Sequence, residues 1–318
     1  MQHPDLPVCD VGNHQSTSTG MIDVCLLGNG GMMPLPGRPL SATLFRVGAQ
    51  TVLFDCGEGT QVNWRSSNLA YRPTSTILLS HVHADHVAGL PGVLFQIAFS
   101  GRTEPLTIYG PEQTPEVVSS LLGIVGRLPF ELRVGQLEGG ETFALDGGIQ
   151  VSTLALRHRT PCIGYTVDVP RSPRFNPERA TELGVPLEHW KRLQAGESVD
   201  GVWPGDVSGP PRRGLKLALV TDTSYFDELI PFVSESDLLV CEAMFEDTDL
   251  ERAHERGHMT FSQAATLARD AGVQQLWLTH FSPRVENPDS HLERVRAQFL
   301  HTEIGRRGLK TTLAFDDE

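Results

Sequence analysis

The chain has 318 residues, of which 39% are hydrophobic and 20% are charged, and it carries a net charge of −13 at pH 7. These values are typical of a globular protein with one large domain or two smaller ones, and the acidity argues against a broadly basic nucleic-acid-binding protein. No apolar run approaches the roughly 20 residues that cross a bilayer, and residues 1–20 lack the basic and apolar parts of a secretion signal. We therefore expect no membrane partner and interpret residues 1–20 as a loose leader.

The five cysteines are odd in number, widely spaced and without any Cys-x-x-Cys pair. Two of them, Cys25 and Cys241, lie in apolar runs, where a thiol behaves as a small hydrophobic side chain. This cysteine pattern indicates a reduced, cytoplasmic protein.

Strands and helices alternate along the chain. Apolar runs bounded by turn residues predict strands at 21–28, 41–57 (a hairpin turning at Gly48), 75–80, 105–110, 130–137, 149–158, 163–169, 215–223, 236–245 and 273–280. Helical spacing predicts helices at 60–68, 86–100, 114–125, about 260–271 and 289–302. A polar stretch predicts an arm-like surface insert at about 171–205. Because no linker divides the rest, we expect a single domain over 21–318 of the α+β class, with two mixed sheets packed together and helices outside.

The stretch SHVHADHVAGLPG, residues 80–92, places three histidines and an aspartate within six positions after a predicted buried strand. His81 and His83 are two residues apart, so both side chains leave extended backbone on the same side. Asp85 and His86 follow where the chain turns into a helix. A polar loop with a helix-capping aspartate is the simple alternative, but the density of ligand-type side chains favours a metal site.

Further ligand-type residues follow other apolar runs, namely His158, Asp222 and His280. Taken singly, each is as readily a surface or capping residue. Together with the first cluster they provide five histidines and two aspartates, enough for two metal ions that share one carboxylate. Imidazole and carboxylate without cysteine suit zinc in an open catalytic site, or another divalent metal such as Mn²⁺.

The motif H-x-H-x-D-H with later His, Asp and His resembles the metallo-β-lactamase superfamily, and five segments in their order resemble its ribonuclease Z family. These are FDCGEGTQ (54–61), SHVHADHVAGLPG (80–92), HRTPCIGY (158–165), GPPRRGLKLALVTDT (209–223) and LTHFSPR (278–284). The resemblance runs from residue 21 to about 285. It implies a four-layer αβ/βα sandwich, two Zn²⁺ ions and an endoribonuclease that cleaves the 3′ trailer from precursor tRNA to leave a 3′-hydroxyl.

Carried over residue by residue, the resemblance assigns a role to each site residue. His81, His83 and His158 would hold one ion, Asp85, His86 and His280 the other, and Asp222 would bridge them. A hydroxide shared by the ions would attack the phosphodiester, with Asp85 as proton acceptor. His258, oriented by Glu242, would protonate the departing 3′ oxygen. Family members are typically homodimers, so the resemblance also implies a homodimer.

Several assignments have structural alternatives. The alternative for His258 is a cap for the helix after Met259, and the alternative for Glu242 is an acid at a strand end. Asp55 either braces the metal loop from outside the ligand set or caps a turn. Arg212, Arg213 and Arg284 either contact phosphates or form a solvated surface.

Three segments depart from the family pattern. Cys241 stands where the family has a histidine, Met259 stands where it has a serine, and the insert lacks a Gly-Pro pair. An alternative activity is therefore a small-molecule phosphodiesterase or an aryl ester or sulfate hydrolase of the same fold. A di-iron redox or metal-binding scaffold is disfavoured because such relatives commonly have a glutamate in place of His83.

Overall fold

The computed structural model describes residues 20–67 and 74–315, so residues 1–19 of the predicted leader lie outside the described residues. The strands are β1 Met21–Gly28, β2 Ala42–Val47, β3 Gln50–Phe54, β4 Thr76–Leu78, β5 Leu106–Gly110, β6 Leu132–Gln136, β7 Thr142–Leu145, β8 Ile149–Ala155, β9 Ile163–Arg171, β10 Arg212–Val220, β11 Leu238–Glu242, β12 Leu276–Thr279, β13 Thr302–Ile304 and β14 Lys310–Ala314. The helices are α1 Thr60–Ser66, α2 Ala84–Val87, α3 Leu90–Phe99, α4 Thr114–Leu122, α5 Pro177–Glu182, α6 Trp190–Gln194, α7 Leu229–Val233, α8 Leu250–Arg256, α9 Phe261–Asp270 and α10 Leu292–Arg296.

The strands of the described segments form two sheets of seven. The first sheet has the order β14-β1-β2-β3-β4-β5-β6, and the second has the order β13-β12-β11-β10-β9-β8-β7. Neighbours from β3 to β6 pair in parallel, as do neighbours from β10 to β13. The remaining pairs in each sheet are antiparallel. Both sheets are therefore mixed, as the sequence predicted.

The two sheets pack face to face, with helices on both outer faces. Phe45 of the first sheet and Trp277 of the second belong to the apolar core between the sheets. Leu94 of α3 packs in a second core outside the first sheet, and Phe261 of α9 packs in a third core outside the second. All five positions of β11 are buried, as expected for a strand covered on both faces. This order of helix, sheet, sheet and helix confirms the predicted α+β sandwich.

The single helix predicted over 86–100 is wrong, because the structure divides this segment between α2 and α3. The Gly89 amide donates to the carbonyl oxygen of Cys56 at 2.8 Å. A Cβ at position 89 would lie 2.1 Å from the carbonyl oxygen of Gly57. The backbone therefore passes against the loop after β3, and only glycine permits this approach.

The helix predicted over 289–302 is also wrong in extent. A 3₁₀ turn at Pro288–His291 precedes α10, and position 302 already begins β13. The elements β7, β13, β14, α7 and α8 were not predicted. Each has between three and seven residues, too few for hydrophobic periodicity to identify them.

The predicted insert lies between β9 and β10 and contains α5, α6 and 3₁₀ turns at Leu187–His189 and Pro204–Val207. It has a small apolar cluster of its own, formed by Ala180, Val185, Leu193, Val199 and Val207. The Trp190 indole covers this cluster and donates to the carbonyl oxygen of Val185 at 3.0 Å. The insert is therefore stabilised by its own packing.

The longest helices of the described segments, α3 and α9, have ten residues each. A helix that spans a bilayer needs roughly 20. Within residues 20–67 and 74–315, no helix meets the length and apolarity that a membrane crossing requires.

Candidate metal centre

The seven predicted ligands lie together at one rim of the molecule, in the segments that follow four strands. His81, His83, Asp85 and His86 follow β4 of the first sheet, while His158, Asp222 and His280 follow β8, β10 and β12 of the second. Because β8, β10 and β12 run in the same direction, their carboxyl ends meet at one edge of the sheet. The site therefore forms between the two sheets.

The first group of ligand atoms surrounds His83 Nδ1 and Asp222 Oδ2. His81 Nε2 lies 3.0 Å from His83 Nδ1 and 3.6 Å from Asp222 Oδ2. His158 Nε2 lies 3.3 Å from His83 Nδ1 and 3.7 Å from Asp222 Oδ2. Ligand atoms from three separate loops thus converge on one small volume.

The second group surrounds His280 Nε2. This atom lies 3.0 Å from His86 Nε2 and 3.3 Å from Asp85 Oδ2. It also lies 3.3 Å from Asp222 Oδ1. The two carboxylate oxygens of Asp222 therefore face different groups, which is the arrangement of a bridging carboxylate.

These groups suit divalent cations. Ligand atoms about 2.1 Å from a tetrahedral ion lie about 3.4 Å from one another, and the distances above run from 3.0 to 3.7 Å. His86 Nδ1 donates to Asp55 Oδ2 at 2.7 Å, and His158 Nδ1 donates to the carbonyl oxygen of Gly257 at 3.0 Å. Each ring thus presents the lone pair of its Nε2 to the cluster, as metal-binding histidines do. The nitrogen and oxygen donor set fits zinc and similar divalent metals.

Asp55 supports the metal loop from behind, in agreement with the bracing role. Its Oδ1 accepts from the Ser80 amide at 2.8 Å, while its Oδ2 accepts from His86. The backbone at Asp55 has φ +55° and that at His280 has φ +56°. Asp and His adopt this left-handed region more readily than most residues, and such conformations cluster at functional sites.

Glu242 and His258 form a buried pair beside the cluster. His258 Nδ1 donates to Glu242 Oε2 at 3.0 Å. Glu242 Oε1 accepts from the Thr223 amide at 2.6 Å, so the carboxylate is held from two sides. His258 Nδ1 also lies 3.9 Å from Asp222 Oδ2. The pair is therefore placed to act on a group bound at the cluster.

Burial and neighbouring charges set the protonation of these groups. Burial opposes a charge on His258, but Glu242 outweighs it and raises the pKa of His258 to about 9. Burial also opposes a charge on Asp222, yet the electrostatic influence of the surrounding histidines, His280 first among them, holds its pKa well below the ordinary value. Burial lowers the pKa of His81, which keeps the ring neutral as a metal ligand must be.

The cluster opens into a pocket of about 280 Å³ that contains residues the sequence reasoning missed. Arg159, Arg252 and Arg256 line it and add positive charge. Arg252 and Arg256 are four residues apart on α8, which places both side chains on one helix face. This spacing is the sequence pattern that could have identified them. Met32 has φ +63°, and its amide donates to Asp85 Oδ2 at 2.6 Å. No local sequence pattern predicts that contact.

The structure does not bring the other candidate arginines into this pocket. Arg212 and Arg213 begin β10, at the opposite end of the strand from the metal site, and Arg284 is exposed after β12. Cys241 and Met259 are buried in the apolar core outside the second sheet. These two departures from the family pattern therefore leave the ligand set intact.

Comparisons with known proteins place the chain in a family. The β-lactamase superfamily domain matches residues 50–281. The ribonuclease Z of Clostridium beijerinckii is 43% identical over 309 residues, which cover 94% of this chain and 100% of that protein. The ribonuclease Z of Lachnospira eligens is 40% identical over 303 residues, with the same two coverages.

Solved structures have the same fold. The short form of human tRNase Z superposes with a TM-score of 0.66 at 25% identity and covers 91% of this chain and 98% of its own. The metallo-β-lactamase fold protein YhfI from Bacillus subtilis gives a TM-score of 0.67 at 20% identity, with coverages of 92% and 99%, and shows the fold alone. The family indicated by the ordered motifs is thus confirmed: the chain belongs to the ribonuclease Z family of the metallo-β-lactamase superfamily.

Proposed function

We propose that this protein is a metal-dependent endoribonuclease that removes the 3′ trailer from precursor tRNA and leaves a 3′-hydroxyl. The observation that carries the proposal is the convergence of seven ligand-type side chains beside the pair of Glu242 and His258. Relatives that match almost the whole chain are ribonucleases Z. The small-molecule hydrolase alternative is not favoured by any of these relatives.

We assign two Zn²⁺ ions to the site, one to each ligand group, with Asp222 between them; Mn²⁺ or another divalent metal suits the same donors. When bound, such ions stabilise negative charge on phosphodiester oxygens and activate water near neutral pH. The support is the split of the Asp222 oxygens, with Oδ2 near His81 and Oδ1 near His280.

The chain's own residues supply proton transfer. Asp85 accepts a proton from the attacking water through its carboxylate, whose Oδ2 accepts from the Met32 amide at 2.6 Å. His258 gives a proton to the departing 3′ oxygen through Nε2, because Glu242 occupies its Nδ1. Glu242 is a positioning residue, since it acts on the substrate only through His258.

The arginines of the pocket attract and orient the phosphates around the cleaved bond. Arg159, Arg252 and Arg256 line the same pocket as His83 and His258. A guanidinium matches phosphate oxygens with two parallel hydrogen bonds. An acidic chain of net charge −13 thus presents a locally positive site to RNA.

We further propose a homodimer. Val62 of α1 and Phe99 of α3 border the same surface hollow and expose 59% and 85% of their area. The Phe95 ring stacks on the Phe99 ring at 6.0 Å between centroids. An exposed group of large apolar side chains is typical of a protein interface. A second copy of the chain is the partner that the homodimers of the family suggest.

We place the reaction in the cytoplasm, where thiols stay reduced. In the described part of the chain Cys25, Cys56, Cys162 and Cys241 are all free and buried. Burial raises the pKa of the Cys25 thiol to about 11, which keeps it protonated and unreactive.

Two substrates offered to the zinc-loaded protein test the activity. One is a precursor tRNA with a 3′ trailer, and the other is bis-nitrophenyl phosphate. We expect a single cut that releases the trailer and leaves a 3′-hydroxyl, together with hydrolysis of the small ester. Hydrolysis of the small ester alone would overturn the tRNA assignment in favour of a small-molecule phosphodiesterase.

A further inference from the structure

Three arginines in the pocket of the metal centre have no acidic partner. They are Arg159, Arg252 and Arg256, and in the described part of the chain none of them forms an ion pair. Arg157, by contrast, pairs with Glu228 at 3.2 Å, although it lies only two residues before Arg159. In a chain with 39 acidic and 26 basic residues, three unpaired guanidinium groups around one pocket indicate a site for an anion.

The helix α8 carries two of these arginines and is fixed to the metal centre at its C-terminal end. Gly257 ends the helix with φ +72°, a conformation that favours glycine. A Cβ at position 257 would lie 3.0 Å from His158 Cα, and the Gly257 carbonyl oxygen accepts from His158 Nδ1. Arg256 and His258 flank this glycine in the chain. The turn therefore positions Arg252 and Arg256 relative to the metal ligands and to the proposed general acid.

Phe245 connects Arg252 to the proposed general acid. The Phe245 and His258 rings lie 5.7 Å apart between centroids, and the Arg252 guanidinium lies 5.7 Å from the centre of the Phe245 ring, over its face. The His258 ring in turn lies 5.0 Å from the ring of the predicted ligand His158. From the ligand groups, the contacts thus run through His258 and Phe245 to Arg252. The contact with the ring uses the charge of Arg252 but none of its N–H donors, which stay available to an anion.

The direction of this path identifies the part of the substrate that reaches it. In the proposed reaction His258 protonates the 3′ oxygen of the last tRNA nucleotide, so this nucleotide lies on the His258 side of the reacting phosphate. The trailer stays attached to the reacting phosphate and leaves on another side. Because an RNA strand carries one negative charge per nucleotide, the next charge beyond His258 is the phosphate on the 5′ side of the last tRNA nucleotide.

We propose that Arg252 and Arg256 bind the phosphate on the 5′ side of the last tRNA nucleotide, one nucleotide before the cleaved bond. The inference rests on the proposed function and deepens it, because it names the phosphate that these arginines hold. Two guanidinium groups offer a phosphate several charge-assisted hydrogen bonds. Binding at this second phosphate places the departing 3′ oxygen against His258 before the bond breaks.

Removal of one charge from the RNA and of the two guanidinium groups from the protein tests this contact as a double-mutant cycle. One precursor tRNA has a neutral methylphosphonate in place of the named phosphate, and the reference has the ordinary phosphate. Both have a deoxyribose on the 5′ side of this linkage, which keeps the methylphosphonate chemically stable. Each is cleaved by the zinc-loaded wild type and by the double variant Arg252→Ala with Arg256→Ala. We expect kcat/KM to fall about tenfold for either change alone, and no further when the two changes are combined.

A matched variant and a second modified RNA control the cycle. Arg133→Ala with Arg269→Ala removes the same charge from exposed, ion-paired arginines elsewhere, and with it the methylphosphonate still lowers kcat/KM about tenfold. A methylphosphonate at the first linkage within the trailer should lower kcat/KM by the same factor in the wild type and in the double variant of α8. Thermal unfolding verifies that each variant is folded. The proposal is overturned if the two losses multiply at the named phosphate, or if the shared loss appears at the trailer linkage instead.

Failure of the proposed function looks different, since the wild type then leaves both precursor tRNAs uncleaved. In that case inhibition of bis-nitrophenyl phosphate hydrolysis by AMP decides whether the arginines hold a phosphate. AMP is the probe because it has the 3′-hydroxyl and the 5′-phosphate of a terminal nucleotide. We expect its Ki to be about tenfold higher for the double variant of α8 than for the charge control, and equal Ki values overturn the inference.

Discussion

Residues outside the ligand set fix which ring nitrogen of a ligand histidine faces the metal site. In an imidazole without a fixed hydrogen bond, either nitrogen can carry the proton. In His86 the proton is on Nδ1, which donates to Asp55, and in His158 it is on Nδ1, which donates to the Gly257 carbonyl oxygen. The proton on each Nδ1 leaves Nε2 free to bind a metal. The site therefore depends on residues that touch no metal themselves.

Asp55→Ala is expected to lower the metal affinity by about 10- to 100-fold, the range found when such an outer partner is removed. The His86 ring and the Ser80 amide both lose their acceptor. Titration of zinc against a competing chelator measures the change. Asp55→Asn is the matched control, because asparagine tolerates a φ of +55° and isolates the loss of charge. Unchanged affinity in the alanine variant would contradict the bracing role.

His258→Ala is expected to lower kcat for precursor tRNA by about 10²- to 10⁴-fold, as removal of a general acid does. Bound zinc is retained, because His258 is not among the seven assigned ligands. Hydrolysis of bis-nitrophenyl phosphate falls far less, since nitrophenolate leaves without a proton. Glu242→Gln keeps a hydrogen-bonding partner for His258 and gives an intermediate loss. An equal loss on both substrates would exclude the acid role.

At this scale the sequence is informative where ligand-type residues lie close together along the chain or directly follow an apolar run. His81, His83, Asp85 and His86 were predicted from their density in one loop. His158, Asp222 and His280 were predicted from their positions after apolar runs, because strand ends that share an edge bring distant residues together. The Met32 amide and Arg159 escaped prediction, since a backbone donor and a lone arginine carry no pattern.

Long helices and strands are easier to predict from the sequence than short ones or than breaks caused by distant contacts. The long strands β1, β9 and β10 were predicted because eight or nine residues display a clear apolar run. The division between α2 and α3 was missed because its cause is the close approach of Gly89 to Gly57, a contact between segments more than thirty residues apart. Local periodicity does not encode such a contact.

Leu193→Ala is expected to unfold the insert while the rest of the molecule stays folded. Leu193 is 2% exposed in a cluster of only five buried side chains, and such a truncation costs about 2–5 kcal/mol. We expect faster proteolysis within 172–211, weaker cleavage of precursor tRNA and an unchanged rate on bis-nitrophenyl phosphate. Leu193→Met conserves volume and is the control. Equal losses on both substrates would mean that the insert supports the metal centre instead.

The whole molecule presents two features that no single element shows. Val62 and Phe99 come from different helices, and they form an exposed patch only because α1 and α3 pack side by side. The ligands come from both sheets, and they meet only because the sheets pack face to face. The proposed dimer surface and the candidate metal site are therefore properties of the complete fold.

Phe99→Glu is expected to convert the proposed dimer into a monomer, because a charge in an apolar interface must be desolvated without a partner. Sedimentation velocity measures the change in mass. Leu300→Glu adds the same charge at another exposed apolar residue, 68% accessible and placed before β13, and is the control. A wild type that sediments as a monomer would contradict the dimer proposal.

Metal binding is expected to stabilise the whole fold, since the ligand groups link the loop after β4 in one sheet to strand ends of the other. A ligand present at 100 times its Kd adds about 2.7 kcal/mol to the free energy of unfolding. For a chain of 318 residues that corresponds to about 4 °C in Tm. Chelation should therefore lower Tm by this amount and abolish hydrolysis, and added Zn²⁺ should restore both.

Variants decide whether this stabilisation comes from the assigned ligands. His158→Ala removes a ligand of the first group only, so we expect the zinc content to fall from two ions per chain to one and the loss of Tm on chelation to shrink. His189→Ala, in the insert and outside both groups, should keep two ions and the full shift. Because Asp222 faces both groups, Asp222→Ala should lose both ions. If the chelator shifts Tm equally in the wild type and the Asp222 variant, the metals bind elsewhere and the two sheets are not linked through this site.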